Sequence, residues 1–551
     1  MSAYKKRQGE IVRLMANKAY STPLLESGLW FHDDIRNNFY YASYLLAGAG
    51  DSDIGNDFDG EEAGRKAESV MLRILSLQDR QPHSATYGHW PLRLDPSPEK
   101  AEPHVLPAEL MGILLAYFRH NPQFKGTGEL MEAADQSLEH LYRSAYHRMP
   151  VELYNHHEAK YTASKLVFGY CFNDDRMLED GRRSLHLTLE RLKKQGMPEY
   201  GCLPWFWHWV QAFTCAYECV DVPDIRKDLN ELLNYLWNER SLFYLRGAWA
   251  GAHSRGLAHD LPRDCNVAFD YVQFGDFELP EDLPRIEYAG FLFHEAPQQA
   301  RQTALLREKP AEVMKAVHPS TGAEGKILHS YVYITERFAA GGMWERVKEF
   351  DNEQHRWEVT FPLSNPGSVN RLYFFQPGEG YKEGDPRHQS GNGEMLYHRN
   401  AVMALYPANS NEADDSLLGV LPKGEWLQTE HAVYGYTFGV YVAVYLSKEF
   451  RVEERKDRIE IRTQGRDGTG VVVEVIDAEE EANRLSVSDL NGFMIVMEGK
   501  RPQWGAAPGL LRVDYLTRQG TKLLLELTAD NINSVKRMIN DMPVDLSCYQ
   551  A

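Results

Sequence analysis

The chain has 551 residues, a formal net charge of −19 at pH 7 and 43% apolar residues. This length predicts two large domains or about three or four small ones, and the composition excludes a disordered, collagen-like or coiled-coil chain. The acidic balance argues against a nucleic-acid binder, because such proteins neutralise phosphates with clustered lysine and arginine. Aromatic residues reach 12%, a surplus that is typical of sugar-binding clefts and of large aromatic cores.

The sequence also indicates the cellular compartment. No apolar run is long enough to span a membrane, and the first residues lack the apolar stretch of a secretory signal. The six cysteines contain no CxxC pair, which is typical of a reducing compartment, so a cytoplasmic protein is predicted. Cys215 and Cys219 lie four residues apart, and this spacing favours buried neutral thiols over a metal site because no second ligand pair follows.

The first part of the chain has helical hydrophobic periodicity up to about residue 310. Acidic residues near several segment starts and Pro297 at another are typical helix N-termini. The predicted helices, joined in pairs by short turns, cover residues 10–20, 35–46, 61–77, 107–118, 130–146, 160–172, 177–193, 205–219, 225–237 and 297–306.

After residue 325 the pattern changes to alternation with a period of two, in β-branched and aromatic runs separated by turn residues. The predicted strands include residues 329–335, 357–361, 371–375, 439–446, 458–463, 470–476, 492–498 and 522–528. So many strands without intervening helices predict a large antiparallel β-sandwich. The fold class is therefore α+β in two domains, with the boundary in the turn-rich stretch between residues 307 and 326.

Three segments carry residues suited to chemistry, and the first is residues 154–161. Here Asn155, His156 and His157 precede a predicted helix, whose N-terminus favours anions. An asparagine can donate to a carboxylate, and a neutral imidazole can take a proton near neutral pH. Adjacent helical residues point about 100° apart, so at most one of the two histidines should face a site. The alternative is a helix-capping asparagine with surface histidines.

The second segment, residues 198–209, places Glu199 and Tyr200 before a helix whose first turn is almost entirely aromatic. A tyrosine can act as acid or base if a neighbouring cation lowers its pKa. Trp205, Trp207, His208 and Trp209 cannot all point the same way, so some should pack in the core and some should stack on a ligand.

The third segment, residues 249–264, has no clean helix or strand period. Glycines flank His253 and Arg255, which permits a backbone bend and close approach of a substrate. The Arg255 guanidinium matches a carboxylate; the alternative is a structural loop with Arg255 paired to Glu199 or Asp260. Less specific candidates are residues 30–36 and 87–93, and two polar segments of the sandwich, 353–357 and 389–399, that could reach across to the helical half.

Helix pairs followed by a large sandwich, over the whole chain at this length, resemble the toroid-plus-sandwich polysaccharide lyases. This superfamily includes the chondroitin AC and hyaluronate lyases, the alginate lyases and the heparinase II/III group. The resemblance implies an (α/α) toroid over residues 1–315 and an antiparallel β-sandwich over residues 316–551. In such lyases an Asn and a His, a Tyr, and often an Arg or Glu surround the scissile sugar. The matching residues here are Asn155 with His156 or His157, Tyr161 or Tyr200, and Arg255 with Glu199.

The resemblance implies β-elimination from a uronate in an acidic oligosaccharide or polysaccharide. Donors neutralise the carboxylate, a Tyr or His takes the C5 proton, and a Tyr protonates the departing oxygen. No cofactor is required, although a divalent metal stays possible; neither nucleic acid nor membrane is an expected partner. The implied catalytic residues are Asn155, His156, His157, Tyr200, His253 and Arg255, and the implied substrate-binding residues are Trp90, Tyr161, Glu199, Trp205, His208, Trp249 and Arg263.

The net negative charge requires a locally cationic cleft, since distant surface charge is screened beyond about 8 Å at physiological salt. Basic residues in or near the proposed loops that could provide it are Lys160, Lys165, Arg246, Arg255 and Arg263.

Two other functions stay open at this point. A glycoside hydrolase would need two carboxylates about 5 Å apart for retention or about 6.5–9.5 Å apart for inversion. The candidates are Asp33, Asp34, Glu158, Glu199, Asp260 and Asp264. A non-catalytic carbohydrate-binding protein would line a groove with aromatic residues without perturbing any titratable group.

Overall fold

A computed structural model describes residues 2–50, 58–94, 101–281, 283–319, 326–347, 353–408, 416–464, 468–485, 487–507, 510–528 and 535–551. Its helical half contains α1 (Ala3–Ser21), α2 (Ile35–Gly50), α3 (Gly60–Ser76), α4 (Val105–His120), α5 (Gly128–Arg143), α6 (His156–Cys171), α7 (Asp175–Gln195), α8 (Leu203–Cys219), α9 (Pro223–Leu242), α10 (Ala268–Gln273) and α11 (Gln298–Leu305). Two short ribbons pair β1 (Trp90–Pro91) with β2 (Pro103–His104) and β3 (Tyr244–Leu245) with β4 (Ala248–Trp249).

The helices form two layers, in which an inner helix alternates with an outer one along the chain. The inner helices α2, α4, α6 and α8 pack against one another in that order, and α3, α5, α7 and α9 each pack on the inner helix before them. Inner helices are buried almost all round: every residue of α8 from Leu203 to Ala216 is buried. Outer helices bury one stripe only, as α7 does with Met177, Leu185 and Leu192.

Each of the ten predicted helices is present, with ends shifted by a few residues. Helix α10 was not predicted, because its six residues are too few to show a helical period. Among the described residues, none of the helices combines the length and the apolar character needed to cross a bilayer. All six cysteines are free thiols. Cys215 donates to the Ile113 carbonyl, and burial raises the pKa of this thiol, as expected for a buried neutral group.

The second half is built from strands that pair antiparallel. They are β5 (Ala311–Val317), β6 (Leu328–Ile334), β7 (Ala339–Met343), β8 (Trp357–Thr360), β9 (Arg371–Phe375), β10 (Glu394–His398), β11 (Ala401–Tyr406), β12 (Leu418–Pro422), β13 (Glu425–Gln428), β14 (Ala432–Thr437), β15 (Val440–Leu446), β16 (Phe450–Glu454), β17 (Arg458–Thr463), β18 (Thr469–Asp477), β19 (Gln503–Ala507), β20 (Leu510–Leu516), β21 (Lys522–Thr528), β22 (Val535–Ile539) and β23 (Met542–Pro543). Helices α12 (Ala478–Leu485) and α13 (Leu490–Glu498) follow β18. Strand β5 spans the boundary placed between residues 315 and 316.

These strands form three stacked sheets rather than a two-sheet sandwich. Their orders are β16-β17-β12-β9-β8-β7-β6-β5, β10-β11-β18-β15-β14-β13 and β19-β20-β21-β22-β23. In β18, Val471, Val473 and Val475 pack in a core with the first sheet. Val472 and Ile476 pack in a second core with the third sheet. The middle sheet is therefore buried on both faces, and this is why the run of residues 471–476 in β18 is apolar apart from Glu474.

The strand predicted at residues 492–498 is wrong, because this segment belongs to helix α13. Asp489 caps the helix by accepting from the Gly492 N–H at 2.7 Å. Leu490, Phe493 and Met497 are buried at helical spacing, whereas Ile495 is exposed. The apolar composition resembles a strand, but only helical geometry brings these three side chains to the middle sheet.

The two halves are joined by a buried ionic cluster, defined here as His253, Asp264, His355, Glu358 and Arg371. His253 and His355 exchange backbone hydrogen bonds of 2.9 Å, so the segment at 353–357 does reach the helical half. Arg371 donates to Asp264 at 2.5 Å and pairs with Glu358. Because His253 belongs to this cluster, the cluster fixes the loop in which Arg255 follows two residues later.

A second buried carboxyl joins the middle and third sheets. Glu474 on β18 accepts from the Tyr515 hydroxyl at 2.5 Å and from the Arg518 N–H at 3.0 Å. Burial raises the pKa of Glu474 to about 7. The folded chain thus keeps a proton that the unfolded chain loses near pH 4.3.

The contribution of Glu474 to stability should therefore fall by about 3 kcal/mol as pH rises from about 4.5 to 7 and level off above 7. The Glu474→Gln variant, which mimics the protonated group, should lack this contribution, so its urea midpoint relative to that of the wild type should rise from pH 5 to 7 and then level off. Glu526→Gln, at a partly exposed position of β21, is the matched control and should retain it. Equal slopes in Glu474→Gln and the wild type would refute the assignment.

Candidate functional site

Three segments that are distant in sequence meet at the N-terminus of α6. His156 Nδ1 lies 2.5 Å from Glu199 Oε1, and the His156 N–H donates to Glu199 Oε2 at 2.8 Å. The His156 ring stacks on Trp205 with centroids 4.7 Å apart. The Arg255 guanidinium lies 4.5 Å from the Trp205 ring centroid on α8. The structure therefore brings together all three segments singled out from the sequence, through His156, Glu199, Trp205 and Arg255.

Local hydrogen bonds fix the start of α6. Asn155 is the N-cap, and its Oδ1 accepts from the N–H groups of His157 and Glu158 at 3.1 and 3.2 Å. The Glu158 carboxylate accepts backbone N–H groups of the preceding loop, including that of Leu153 at 2.8 Å. Asn155 thus caps the helix, as the alternative prediction stated. The residue is partly exposed, and its Nδ2 group is still a donor that a ligand could use.

The two histidine rings lie side by side, with centroids 4.0 Å apart. This differs from the expectation that only one of them would face the site. Each Nδ1 is held by a different carboxylate, His156 by Glu199 and His157 by Glu109 at 2.6 Å. The two acids turn the rings toward each other, which overrides the angular separation of adjacent helical residues.

Glu109 on α4 is the hub of the next group. Its Oε2 lies 2.8 Å from Lys160 Nζ, and its Oε1 accepts from the Tyr161 hydroxyl at 2.8 Å. Burial works against ionisation, but Lys160 and His157 hold the pKa of Glu109 well below its ordinary value. Burial and the Glu109 charge raise the pKa of Tyr161 above its ordinary value. Tyr161 therefore keeps its proton at neutral pH.

The His156 ring is neutral in this environment. Burial lowers the pKa of His156 to about 4, although Glu199 opposes this. Burial works against ionisation of Glu199 too, but His156 and the Trp209 indole N–H hold its pKa below the ordinary value. Because Glu199 is an anion, His156 Nδ1 must be the donor. This leaves Nε2 as a proton acceptor that has no hydrogen bond to any described residue.

Additional basic groups lie around these side chains. The His208 ring centroid is 5.5 Å from that of His156, and burial lowers the pKa of His208 well below its ordinary value. Arg285 lies 3.1 Å from His208 Nε2 and 3.1 Å from Glu287 Oε1. From the sandwich, Arg387 Nη1 lies 3.2 Å from Glu353 Oε1, and Glu353 also pairs with Arg255.

The bases are more exposed than the acids that hold them. Side-chain exposure is 26% for Arg255 against 4% for Glu353, and 25% for Arg285 against 5% for Glu287. For His157 and Glu109 it is 33% against 1%. The acids lie beneath the surface and orient the bases, so the groups that an incoming ligand meets are donors and cations. This arrangement suits an anionic ligand despite the negative net charge.

Two residues expected to be catalytic lie outside this site. His253 has 0% side-chain exposure in the buried ionic cluster, where its Nε2 is 3.0 Å from Arg371 Nη1. Tyr200 packs among apolar residues of both halves, and its hydroxyl accepts from Gln354 Nε2 at 2.7 Å. Both positions belong to the contact between the halves, which explains their polar neighbours without a ligand.

Three residues expected to bind substrate are structural as well. Trp90 is fully buried and donates to the Ile74 carbonyl at 3.0 Å. Trp249 is buried against Phe243, with ring centroids 5.1 Å apart. Arg263 Nη1 donates to two carbonyls of the sandwich at 2.6 Å, those of Asn365 and Ser368. The two tryptophans are thus accounted for by core packing, and Arg263 by its hydrogen bonds to a loop of the sandwich.

Several residues of the site were not predicted from the sequence: Glu109, Arg285, Glu287 and Arg387. Glu109 had a usable signal, since it is the only acid in the otherwise apolar helix α4. A lone carboxylate in a buried helix needs a partner. The others lie in loops without periodicity and carried no such signal. Among the described residues, no group of three or more His, Cys, Asp or Glu side chains is arranged to hold a metal ion.

No protein-family model and no curated protein matches the chain. Similar solved structures include heparinase III, at 10% identity over 90% of this chain and 82% of that one, with a TM-score of 0.45. A chondroitinase AC lyase is 9% identical over 99% of both chains, with a TM-score of 0.41. The chondroitin AC lyase of Streptomyces coelicolor A3 is 11% identical over 95% of this chain and 88% of that one, with a TM-score of 0.46. These groups are among those the sequence resembles; at such identities the activity has to be inferred from the site itself.

Proposed function

We propose that this chain is a polysaccharide lyase that cleaves a uronate-containing oligosaccharide or polysaccharide by β-elimination, on a toroid of helix pairs joined to stacked β-sheets. One observation carries the proposal. A neutral imidazole with a free Nε2, a protonated phenol and a partly exposed guanidinium gather at one site, while the neighbouring acids are buried and paired. These are the groups that elimination from an anionic sugar requires.

In the proposed mechanism His156 Nε2 takes the proton from C5 of the uronate. Glu199 holds Nδ1 and so fixes both the tautomer and the ring orientation. Tyr161 gives a proton to the departing glycosidic oxygen, since it is the phenol at this site and its raised pKa keeps it protonated. This assignment replaces Tyr200, whose hydroxyl lies in the contact between the halves.

The C5 proton becomes removable only if the neighbouring carboxylate is neutralised, because the intermediate gathers negative charge there. We assign this role to Arg255, held by Glu353 and stacked on Trp205, together with the Nδ2 group of Asn155. These donors suffice for the reaction without a metal or an organic cofactor.

The paired-carboxylate alternative is not favoured by the geometry. Glu158 accepts backbone N–H groups, and Glu199 is bonded to His156 and Trp209. Asp260 and Asp264 are fully buried near Arg371. Asp34 is bound to Arg36, and Asp33 accepts from the Asp34 N–H. Of these six candidates only Asp33 is exposed. The other five are buried or held by neighbouring groups, so they do not offer the pair of free carboxyls that a hydrolase would place across a glycosidic bond.

The direct test is incubation of the purified chain with a panel of uronate glycans, such as chondroitin, hyaluronan, heparan and alginate. We expect a product with the ultraviolet absorbance of an unsaturated uronate, accompanied by a new reducing end. New reducing ends without that absorbance would indicate hydrolysis instead. Absence of both on every glycan would refute the proposal.

Replacing Arg255 with alanine should raise KM for the uronate substrate by about 10- to 100-fold and lower kcat as well, because the guanidinium both binds the carboxylate and stabilises the charge that the intermediate gathers there. Glu353 keeps Arg387 as a partner, so the fold should persist. Arg226→Ala, which removes an exposed arginine of α9, is the control and should leave KM unchanged. An unaltered KM in Arg255→Ala would show that this guanidinium does not meet the substrate.

A further inference from the structure

Glu109 binds three side chains of one helix at once. His157, Lys160 and Tyr161 stand at i, i+3 and i+4 on α6, so they share one face of the helix. All three reach the same carboxylate on α4, at 2.6, 2.8 and 2.8 Å. Glu109 has 1% side-chain exposure, and Lys160 has 2%. A buried carboxylate with three donors fixes the position and the protonation of each donor.

The pairing with Lys160 has an electrostatic consequence. Glu109 alone would place a negative charge beside an anionic substrate, and Lys160 alone would place a buried cation beside the two imidazoles. Together they have no net charge, yet both oxygens of Glu109 still accept hydrogen bonds from His157 and Tyr161. The carboxylate can therefore orient the two side chains without repelling a uronate.

We propose that Glu109, neutralised by Lys160, is a positioning residue that keeps the proton on the Tyr161 hydroxyl and fixes the Nδ1–H tautomer of His157. Its effect on catalysis rests on the proposed lyase function, but its effect on Tyr161 does not. Nothing in the reaction requires Glu109 to touch the sugar, since it lies beneath the three side chains that it holds.

The other charged groups around this cluster are identifiable. Glu158, on α6 itself, also favours the protonated phenol of Tyr161. From two other segments, Arg36 lowers and Glu199 raises the pKa of Lys160. The Glu109 charge also favours the protonated form of His89. None of them bonds to the Tyr161 hydroxyl, so Glu109 is the largest electrostatic influence on the raised pKa of Tyr161, beside the larger effect of burial.

The experiment compares the wild type with Glu109→Gln and with the double variant E109Q/K160M, which removes both charges and so avoids an unpaired buried lysine. Tyrosine labelled with ¹³C at Cζ is followed by NMR up to pH 10.5, and the Tyr161 signal is assigned with Tyr161→Phe. We expect Tyr161 to stay protonated in the wild type. In both glutamine variants its titration midpoint should fall far enough for the ring signal to begin to shift below pH 10.5, which the wild-type signal should not do.

On a cleaved glycan, the double variant should lose about 10- to 100-fold in kcat with little change in KM. In Lys160→Met, KM should rise instead, because the Glu109 charge is then uncompensated. A Tyr161 midpoint in E109Q/K160M equal to that of the wild type would overturn the inference, whatever the activity. A lowered midpoint in a chain that cleaves no uronate glycan would keep the positioning role and refute the lyase function alone.

Discussion

Replacing His156 with glutamine should reduce kcat on a uronate glycan by about 10²- to 10⁴-fold, the usual contribution of a general base. Glutamine can still donate to Glu199 from its amide, but it has no nitrogen that can take a proton. Because burial lowers the pKa of His156 to about 4, wild-type kcat/KM should hold from neutral pH down to about pH 4. Below that value the base becomes protonated, and the rate should fall as pH decreases.

His157→Gln is the matched control, since the neighbouring ring is also held by a carboxylate. It should lose less activity than His156→Gln, and circular dichroism should show both variants folded. A larger loss in His157→Gln would transfer the role of base to that residue. An acidic limb near pH 6.5 in the wild type would contradict a buried, neutral His156.

The largest effect on stability is expected for Arg371→Met. Arg371 is fully buried between Asp264 and Glu358, and it also lies 3.0 Å from His253 Nε2. Methionine fills part of the volume but leaves two buried carboxylates without their cation. Breaking a buried pair in this way costs about 3–5 kcal/mol, which a urea denaturation curve would show as a lower midpoint.

Arg337→Met is the control for this substitution. Arg337 forms ion pairs with Asp477 and Glu479, but its side chain is 40% exposed, so its loss should cost about 1 kcal/mol or less. Similar midpoints for the two variants would show that the buried ionic cluster does not stabilise the contact between the halves. Arg371→Met should also weaken catalysis, because the loop that carries Arg255 continues from this cluster.

Most secondary structure could be predicted because each element carries its own pattern. The stripe of apolar residues in α7 and the alternation in β17 are local properties that need no knowledge of the neighbours. The wrong prediction of a strand where α13 lies has the same origin. Residues 492–498 are apolar on most sides, so neither a helical period nor a strand period stands out. Packing against the sheets beneath them determines that the segment is a helix.

The site was only partly predictable, for a related reason. Tryptophan and histidine in a loop are equally suited to a core and to a cleft, and composition does not separate Trp205 from Trp249. Trp205 contacts His156 and Arg255, whereas Trp249 is packed against Phe243. Likewise the sequence offers His156 and His253 as histidines in two polar loop segments, but Arg371 from a distant strand contacts only the second of them.

The amino-acid sequence by itself determined where helices give way to strands and which three loops carry the polar and aromatic groups, because periodicity and residue chemistry are local. Only the tertiary structure decided which of these side chains meet, that Glu109 lies beneath His157, Lys160 and Tyr161, and that the sheets stack in three layers. Burial, ion pairing and pKa depend on groups far away along the chain, and no local pattern encodes those distances.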